Sequence, residues 1–247
     1  EISLEIDVDQ GGRISSLRFR DIECVLPFRG QVLTWGWYPM APWAGRIKDG
    51  LIKNSKGEEF QLPTNLASPD AIHGFAPTSS WQEIGNGYFA LDLAEPYLGA
   101  RVEQRFELLD NALRWSLEYE AGGSDLPFWM GLHPWFPREF DRGGAAEINF
   151  HPGKMFERGS DYMPTGKLIN PTPPPWDDAF TQVRGVPTVS WEDVLQIKIE
   201  SDAPYWVVYD QDPEGVCIEP QSAPPDAANL GISSDTYLEA LFVFEEI

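Results

Sequence analysis

The chain has 247 residues and a formal net charge of −21, with 42% hydrophobic and 13% aromatic residues. This apolar and aromatic content predicts a folded globular protein and excludes a disordered tail or a fibrous repeat. The excess of Asp and Glu repels nucleic-acid phosphates and anionic lipid surfaces, so we expect neither nucleic acid nor membrane as a partner.

No stretch of the sequence has the length of a membrane span. The longest strongly apolar run near the C-terminus, residues 240–244, is far short of the roughly 20 residues that a membrane helix needs. The first residues lack the basic start and apolar middle of a secretory signal. Cys24 and Cys217 have no C-x-x-C partner, which favours two buried free thiols over a zinc site or a disulfide. Together these features predict a cytoplasmic protein.

Short alternating runs separated by turn residues recur along the chain, in which Gly and Pro number 22 each. Period-two alternation of polar and apolar residues occurs at residues 2–8, 13–19, 194–199 and 206–209. Residues 100–119 alternate on both sides of Asp110 and Asn111, which predicts a β-hairpin with a short Asp-Asn turn. A sustained helical stripe of apolar residues is missing. We therefore predict an all-β fold with little helix, a large antiparallel β-sandwich forming a single domain over residues 1–247.

A proline-rich stretch, N-P-T-P-P-P-W at residues 170–176, interrupts the predicted strands. It could be a linker between domains, but strand patterns lie on both sides of it and an aromatic residue closes it. We expect an ordered loop that lies over a cleft.

Three histidines are candidates for catalysis or ligand binding. His73 lies in A-I-H-G-F, where Gly74 permits a close approach of the backbone to another group. His133 lies in G-L-H-P-W-F among apolar and aromatic neighbours, and His151 precedes a Pro-Gly turn. Each could instead be a structural histidine, and on the residues alone His73 and His133 are the better functional candidates.

Several charged residues could act with these histidines. Glu219 is in line with an apolar strand, V-C-I-E-P, where burial would raise its pKa toward the range of a general base. An edge-strand Glu that faces water fits the same pattern. Asp177 and Asp178 follow the proline-rich stretch, and Arg46 follows a glycine. An Arg fork donates paired hydrogen bonds and Asp accepts them from hydroxyls, which suits a polyol ligand, although each residue alone could be a surface charge.

Ten tryptophans strengthen the case for a carbohydrate ligand, because a flat aromatic face suits the C–H face of a sugar ring. Seven of them lie beside Gly, Pro or the polar residues just named: Trp35, Trp37, Trp43, Trp81, Trp129, Trp135 and Trp176. Most of these should be core residues, and we predict that Trp43 and Trp135 contact a sugar.

Other kinds of chemistry find no support in the sequence. D-Q-D-P-E-G at residues 210–215 mimics the start of a calcium loop, but the twelfth position is Gln221 where such a loop needs Glu. There is no G-x-S-x-G motif, no phosphate-binding glycine loop and no cluster of His and Cys ligands. We expect no metal and no cofactor.

Five motifs in order resemble those of the aldose 1-epimerases, the galactose mutarotase-like family. They are A-P-W-A-G-R-I at residues 41–47, I-H-G-F at 72–75, G-L-H-P-W-F at 131–136, W-D-D-A-F at 176–180 and I-E-P-Q-S-A-P-P-D-A at 218–227. Five motifs in this order are far more specific than any one of them. The resemblance implies a β-sandwich of the galactose mutarotase-like supersandwich type, no metal or cofactor, and interconversion of the α and β anomers of a free sugar.

By the same resemblance, Glu219 matches the family's catalytic base, His133 its acid and His73 its second histidine. The chemistry agrees, because opening a cyclic hemiacetal removes the C1 hydroxyl proton and protonates the ring oxygen. A carboxylate and an imidazole on opposite sides of one sugar are the minimum that this chemistry requires.

The resemblance also matches Arg46 to the substrate-holding arginine and Asp177 to the hydroxyl-binding aspartate, with Asp178 the alternative. The chain departs from the family's common pattern around the acid, where Leu132 precedes the histidine and Pro134 follows it. It is also shorter than typical galactose mutarotases, so galactose need not be the substrate.

A subgroup of the family that acts on hexose 6-phosphates often carries H-G-F-A-R, and here Pro77 stands in place of that arginine. With the overall acidity, this predicts a neutral aldose as the small-molecule partner of a monomer or homodimer. Two other functions fit the residues: a glycoside hydrolase with Glu219 and Asp177 as its carboxylate pair, and a non-catalytic sugar-binding domain. The two histidines favour the epimerase, because neither alternative requires them.

Overall fold

Strands make up most of the regular structure in residues 2–247, the part of the chain that the computed structural model describes. In chain order the strands are β1 (Ile2–Asp7), β2 (Arg13–Phe19), β3 (Ile22–Glu23), β4 (Trp37–Met40), β5 (Arg46–Ile47), β6 (Leu51–Lys53), β7 (Glu59–Gln61), β8 (Ala71–Ile72), β9 (Gln82–Gly85), β10 (Tyr88–Asp92), β11 (Arg101–Leu108), β12 (Ala112–Glu120), β13 (Gly131–Pro137), β14 (Glu147–Asn149), β15 (Lys154–Arg158), β16 (Pro164–Ile169), β17 (Asp177–Thr181), β18 (Thr188–Trp191), β19 (Leu195–Glu200), β20 (Tyr205–Tyr209), β21 (Gly215–Gln221) and β22 (Tyr237–Glu245). Helical structure in this range is limited to short 3-10 turns at Val8–Gln10, Lys48–Gly50 and Ala76–Thr78 and a four-residue α-helix, α1, at Ala227–Leu230.

Two large sheets dominate the architecture. The larger has ten strands in the order β1-β2-β4-β13-β21-β20-β17-β15-β16, with β3 paired to β2. The smaller has eight strands in the order β14-β18-β19-β22-β12-β11-β10-β9. Neighbouring strands in both sheets run antiparallel. This confirms the predicted all-β antiparallel sandwich with little helix.

The core lies between the two large sheets, and in strands such as β12 and β22 alternate residues face it. On β12, for example, Leu113, Trp115 and Leu117 are fully buried. Aromatic pairs join the sheets, as where Trp37 of β4 packs on Phe242 of β22 with ring centroids 4.7 Å apart. Full burial of each such side chain stabilises the fold by roughly 1.5–3 kcal/mol. The inward faces are therefore committed to packing, which leaves the outward face of the larger sheet for polar functional groups.

The segments with alternating sequence are strands, as predicted, and their bounds differ from those expected by a single residue at most. Residues 2–8, 13–19, 194–199 and 206–209 correspond to β1, β2, β19 and β20. The predicted hairpin consists of β11 and β12, and Leu109 N donates to Ala112 O at 2.8 Å across the Asp110-Asn111 turn.

Two further sequence predictions concern membranes and cysteines. Within residues 2–247, no helix reaches the length or hydrophobicity of a membrane span. Cys24 and Cys217 are both buried and unpaired, which confirms the expected free thiols.

The proline-rich residues 170–176 connect β16 to β17, two strands of the same sheet. Trp176 holds this loop in place, because its Nε1 donates to Thr172 O at 2.8 Å and its backbone N donates to Asp210 Oδ1 at 2.5 Å. The expectation that the loop lies over the cleft is wrong, since no residue of the loop lines the cleft described below. The Trp176 ring instead turns inward and packs on Phe180.

Candidate active site

An open cleft of about 640 Å³ lies on the outward face of the larger sheet. Strands β13, β21, β20 and β17 contribute to its floor, and residues from β5, β8 and the β15–β16 hairpin contribute to its walls. The predicted site residues in its lining are Arg46, His73, His133, Trp135, Asp177, Asp178 and Glu219. Two other depressions of similar size, about 810 and 860 Å³, have no histidine in their lining. Motifs that are far apart in the sequence therefore meet in this one cleft.

His133 and Glu219 lie side by side on the cleft floor. The register of the adjacent antiparallel strands β13 and β21 pairs Trp135 with Cys217, so His133 is opposite Glu219 two residues along. Strand alternation points both toward the cleft, and Oε1 of Glu219 is 3.2 Å from Nε2 of His133. The expectation that the two groups flank a sugar from opposite sides is wrong, because strand pairing brings them into contact.

Gln221 shares this face of β21 with Glu219 and is fully buried. Its Nε2 donates to Oε2 of Glu219 at 3.0 Å, so the amide holds one carboxylate oxygen while the other faces the imidazole. Gln221 was not among the site residues predicted from the sequence. The available signal was its spacing of two residues from Glu219 on a predicted strand, which places both on one face.

Burial governs where the proton of this pair resides. Loss of hydration raises the pKa of Glu219 well above its ordinary value, and the hydrogen bond from Gln221 acts against that shift. Burial also lowers the pKa of His133 well below its ordinary value, with a smaller contribution from His73. Both effects favour a carboxylic acid beside a neutral imidazole. Transfer of that proton across the 3.2 Å contact gives a carboxylate beside an imidazolium, so a donor and an acceptor are present in either form.

His73 has a fixed tautomer. Its Nδ1 accepts a hydrogen bond from the backbone N–H of Gly45 at 3.2 Å. Burial, assisted by the positive charge of Arg46, lowers the pKa of His73 to about 3. The imidazole is thus neutral near neutral pH and carries its hydrogen on Nε2. It can donate a hydrogen bond to a ligand oxygen but is poorly suited to hold a second proton.

Gly74 allows the motifs at residues 41–47 and 72–75 to meet. Its φ of +74° is in the left-handed region, and a Cβ at this position would lie 1.9 Å from Ala41 O. The next residue, Phe75, donates its backbone N–H to the same oxygen at 2.9 Å. This close approach confirms the backbone role predicted for Gly74.

Asp226, in the motif at residues 218–227, forms hydrogen bonds with the backbone at and beside Arg46. Asp226 N donates to Arg46 O at 2.7 Å, and Asp226 Oδ1 accepts a hydrogen bond from Lys48 N at 3.1 Å. The Arg46 side chain is 42% exposed, and its nearest carboxylate oxygen, on Asp70, is 3.7 Å from Nη1. Its guanidinium donors are therefore largely free for a ligand in the cleft.

Asp177 and Asp178 both line the cleft and share Arg158 of β15. Arg158 Nη1 is 3.1 Å from Asp177 Oδ2, and Arg158 Nε is 3.0 Å from Asp178 Oδ1. The Asp177 side chain is 51% exposed and that of Asp178 only 8%, so Asp177 has more room to accept a ligand hydroxyl. Arg158 lies outside the five motifs, and the sequence contained no signal that identified it.

Of the two tryptophans predicted to contact a sugar, only Trp135 lines the cleft. Its ring stacks on that of His133 with centroids 5.5 Å apart. Trp43 is fully buried and packs on Phe75 at 5.2 Å. The prediction for Trp43 is wrong because its loop directs the ring into the core. His151 is exposed and does not line the cleft.

Tyr38 and Arg13 lie behind His133. The Tyr38 ring stacks on His133 with centroids 4.5 Å apart, and the Arg13 guanidinium lies 5.0 Å from the Tyr38 ring. Arg13 is fully buried and donates to four backbone carbonyls, those of Gln10, Val32, Trp35 and Pro77. These contacts restrict the orientation of the His133 ring.

Comparison with known protein families agrees with this arrangement. The family model described as aldose 1-epimerase matches residues 7–188. The chain belongs to the aldose 1-epimerase family. The matched residues include Arg46, His73, His133 and Asp177, whereas Glu219 lies beyond them.

Individual relatives of this aldose 1-epimerase family member are similar to it to different extents. YphB of Escherichia coli K12, an uncharacterized protein, is 31% identical over 145 residues, which cover 55% of this chain and 49% of YphB. The match therefore spans about half of that relative. A candidate aldose 1-epimerase of Escherichia coli K12 has a solved structure that superposes with a TM-score of 0.83 at 21% identity, covering 100% of this chain and 96% of that one. A GalM/aldose epimerase homologue from C. elegans gives a TM-score of 0.82 at 14% identity, with 100% and 96% coverage. At these identities the two structures establish the shared fold.

Proposed function

We propose that the protein is an aldose 1-epimerase that interconverts the α and β anomers of a neutral free aldose without a cofactor. The observation that carries the proposal is the contact of 3.2 Å between Glu219 Oε1 and His133 Nε2 on the cleft floor. With one proton between them, these two groups form a general acid and a general base in one place.

Ring opening needs two proton transfers at neighbouring oxygens. Glu219 takes the proton of the C1 hydroxyl, and His133 gives a proton to the ring oxygen as the bond from C1 to that oxygen breaks. Since both oxygens are bonded to C1, a donor and an acceptor in mutual contact can reach both. After rotation about the C1–C2 bond, the same groups act in reverse and close the ring as the other anomer, which returns both protons to their starting places.

Three residues around the pair would hold the sugar. His73 donates from Nε2, the Arg46 guanidinium donates to ring or hydroxyl oxygens, and Asp177 accepts from hydroxyls. Trp135 offers an aromatic surface beside the acid. None of these roles requires charge on the substrate.

The charge of the cleft supports a neutral substrate over a phosphorylated one. Six carboxylate residues line it: Asp70, Asp161, Asp177, Asp178, Asp212 and Glu219. Glu219 favours the neutral acid, and four cations face the other five. Arg158 pairs with Asp177 and Asp178, Lys48 with Asp161 and Arg29 with Asp212, and Arg46 is 3.7 Å from Asp70. The small excess of negative charge that remains disfavours a phosphate group.

The carboxylate positions weaken the case for a retaining glycoside hydrolase. Glu219 is on β21 and Asp177 on β17, with β20 between these two strands. The strand axes are thus about 9–10 Å apart, whereas a retaining hydrolase needs carboxyl groups about 5–5.5 Å apart. Asp177 is moreover paired with Arg158.

The test is proton NMR or polarimetry on freshly dissolved α-anomers of glucose, galactose, xylose and arabinose, with spontaneous mutarotation subtracted. We expect faster equilibration of at least one of these sugars with the wild-type protein and not with Glu219→Gln. Nitrophenyl glycosides serve in parallel, since their cleavage would indicate a hydrolase. Sugar binding without faster equilibration would indicate a non-catalytic domain and contradict the proposal.

A further inference from the structure

Cys217 brings a third metal-binding atom to the Glu219–His133 pair. It lies two residues before Glu219 on β21, on the same face of the strand, and its register partner is Trp135 of β13. The Sγ of Cys217, a ligating nitrogen of His133 and a carboxylate oxygen of Glu219 all lie within 4.8 Å of one another. All three residues are buried, so the cluster is held by the two strands that carry it.

The spacing of the His133 and Glu219 atoms is that of two ligands in a tetrahedral cation site. Zinc bonds of about 2.0–2.2 Å to nitrogen and oxygen place two such ligands about 3.4 Å apart at the tetrahedral angle. Oε1 of Glu219 and Nε2 of His133 are 3.2 Å apart. A zinc–sulfur bond of about 2.3 Å requires roughly 3.6 Å from sulfur to the other ligands. Cys217 Sγ lies within 4.8 Å of both other atoms, so a displacement of at most about 1 Å would complete the geometry.

The cleft around these three residues provides access for a fourth ligand and a charge that favours cations. His133 and Glu219 line the open cleft, so water can take the fourth position, as in zinc sites with three protein ligands. The excess of acidic over basic residues in the cleft lining favours the entry of cations. A thiolate, an imidazole and a carboxylate together select a borderline-soft cation such as Zn²⁺ over Mg²⁺ or Ca²⁺, which prefer oxygen ligands alone.

We propose that His133, Cys217 and Glu219 form a binding site for a thiophilic divalent cation of the Zn²⁺ class, and that its occupation inhibits the enzyme. Binding displaces two protons to solvent, the thiol proton of Cys217 and the one proton that Glu219 and His133 hold between them, as bonds form from the metal to sulfur, oxygen and nitrogen. The cation also takes the lone pairs of Glu219 and His133 that would accept and transfer the protons of the sugar. The inhibition, unlike the binding, rests on the proposed epimerase function.

Binding is tested with Co²⁺ as a spectroscopic substitute for Zn²⁺, added to the reduced, metal-free protein. We expect a thiolate-to-cobalt charge-transfer band in the near ultraviolet, lost on adding Zn²⁺. Because the chain has only two cysteines, a band that persists in Cys24→Ala must come from Cys217. Cys24 is a matched control, since it too is a fully buried free thiol. This measurement does not depend on the folding of a Cys217 variant or on any catalytic activity.

Two variants locate the site further. Cys217→Ala should abolish the band. Loss of a group that only hydrogen-bonds a metal ligand weakens metal binding roughly 10- to 100-fold, and loss of the ligand Cys217 should weaken Zn²⁺ binding by more than that. His151→Ala removes the exposed histidine outside the cleft and should leave Zn²⁺ affinity unchanged. Absence of a thiolate band in the wild-type protein, or its loss in Cys24→Ala, would overturn the proposed site.

Inhibition is measured as the Zn²⁺ concentration that halves mutarotation, with each variant normalised to its own metal-free rate. We expect inhibition of the wild type that EDTA reverses and that rising sugar concentration relieves, and a shift of at least 100-fold in Cys217→Ala. Zn²⁺ binding through Cys217 without inhibition would overturn the proposal that occupation of the site inhibits the enzyme. An inactive protein that still shows the cobalt band would overturn the proposed function and leave the cation site standing.

Discussion

Gln221 donates its side-chain amide to Oε2 of Glu219 at 3.0 Å, from two residues further along the same strand. The carboxyl group is thereby fixed with its other oxygen toward His133, and the hydrogen bond offsets part of the pKa increase that burial causes. A single buried amide thus influences both the orientation and the proton affinity of the proposed base.

Replacement of Gln221 should shift the pH dependence of activity. The pair is active when it holds one proton, so activity falls at alkaline pH as that proton is lost and at acid pH as a second is gained. The amide stabilises the carboxylate, so Gln221→Met should raise the pKa of Glu219 further and move the alkaline limb to higher pH. The kcat profile across pH measures this shift. A limb that moves to lower pH would contradict the assigned role.

Glu219→Gln should abolish turnover and leave sugar binding largely intact. Glutamine keeps the side-chain size and an acceptor oxygen but cannot take the C1 proton, and general-base catalysis typically contributes ~10²–10⁴-fold. His133→Asn should likewise lower kcat, and the double variant should be little worse than either single variant, because acid and base act as a unit. NMR exchange rates give kcat, and saturation-transfer titration gives binding. A Glu219→Gln variant that keeps more than about a tenth of the wild-type kcat would mean that another base operates.

His73→Asn should separate the two functions of this side chain. Asparagine tolerates the left-handed backbone conformation, which has a φ of +57°, and it offers an oxygen to the Gly45 N–H. It lacks a donor at the position of Nε2, so we expect a higher KM with a smaller change in kcat. His73→Phe, which removes both hydrogen bonds, provides the comparison. A loss confined to kcat in His73→Asn would argue that His73 takes part in proton transfer.

Gly74→Ala should destabilise the fold and the site together. The left-handed φ costs an L-residue roughly 1–2 kcal/mol, and at this position the Cβ also collides with Ala41 O at 1.9 Å. Gly57→Ala is the matched control, since Gly57 has a φ of +82° but no atom within 4 Å of its Cβ position. Urea unfolding should show a clearly larger loss of unfolding free energy for Gly74→Ala. If both variants lost the same unfolding free energy, the close contact between residues 41–47 and 72–75 would contribute little to stability.

Cofactor independence predicts that EDTA does not lower the activity of the protein as purified. This follows from the proposed mechanism, in which every proton transfer is carried by side chains of the chain itself. The measurement is mutarotation before and after dialysis against chelator. Activity lost in EDTA and restored by one divalent ion would contradict both the mechanism and the inhibitory role proposed for Zn²⁺.

The sequence by itself determined the all-β class, because the period-two alternation of residues such as Leu113, Trp115 and Leu117 is a local property of each strand. It also determined which segments carry the site, since the five motifs are visible as ordered strings. The role of Gly74 was also predictable from the sequence, because a glycine has no Cβ and so permits a close approach of the backbone to another group.

Only the tertiary structure decided which side chains touch. The contact between His133 and Glu219, and the position of Cys217 beside them, depend on the register of β13 with β21, which are far apart in the chain. Such a register is set by the packing of both sheets together, and no local pattern encodes it. Tertiary packing also decided Trp43, whose ring packs in the core while Arg46 of the same motif lines the cleft. Arg158 lies in no motif, and only strand pairing brings it to Asp177.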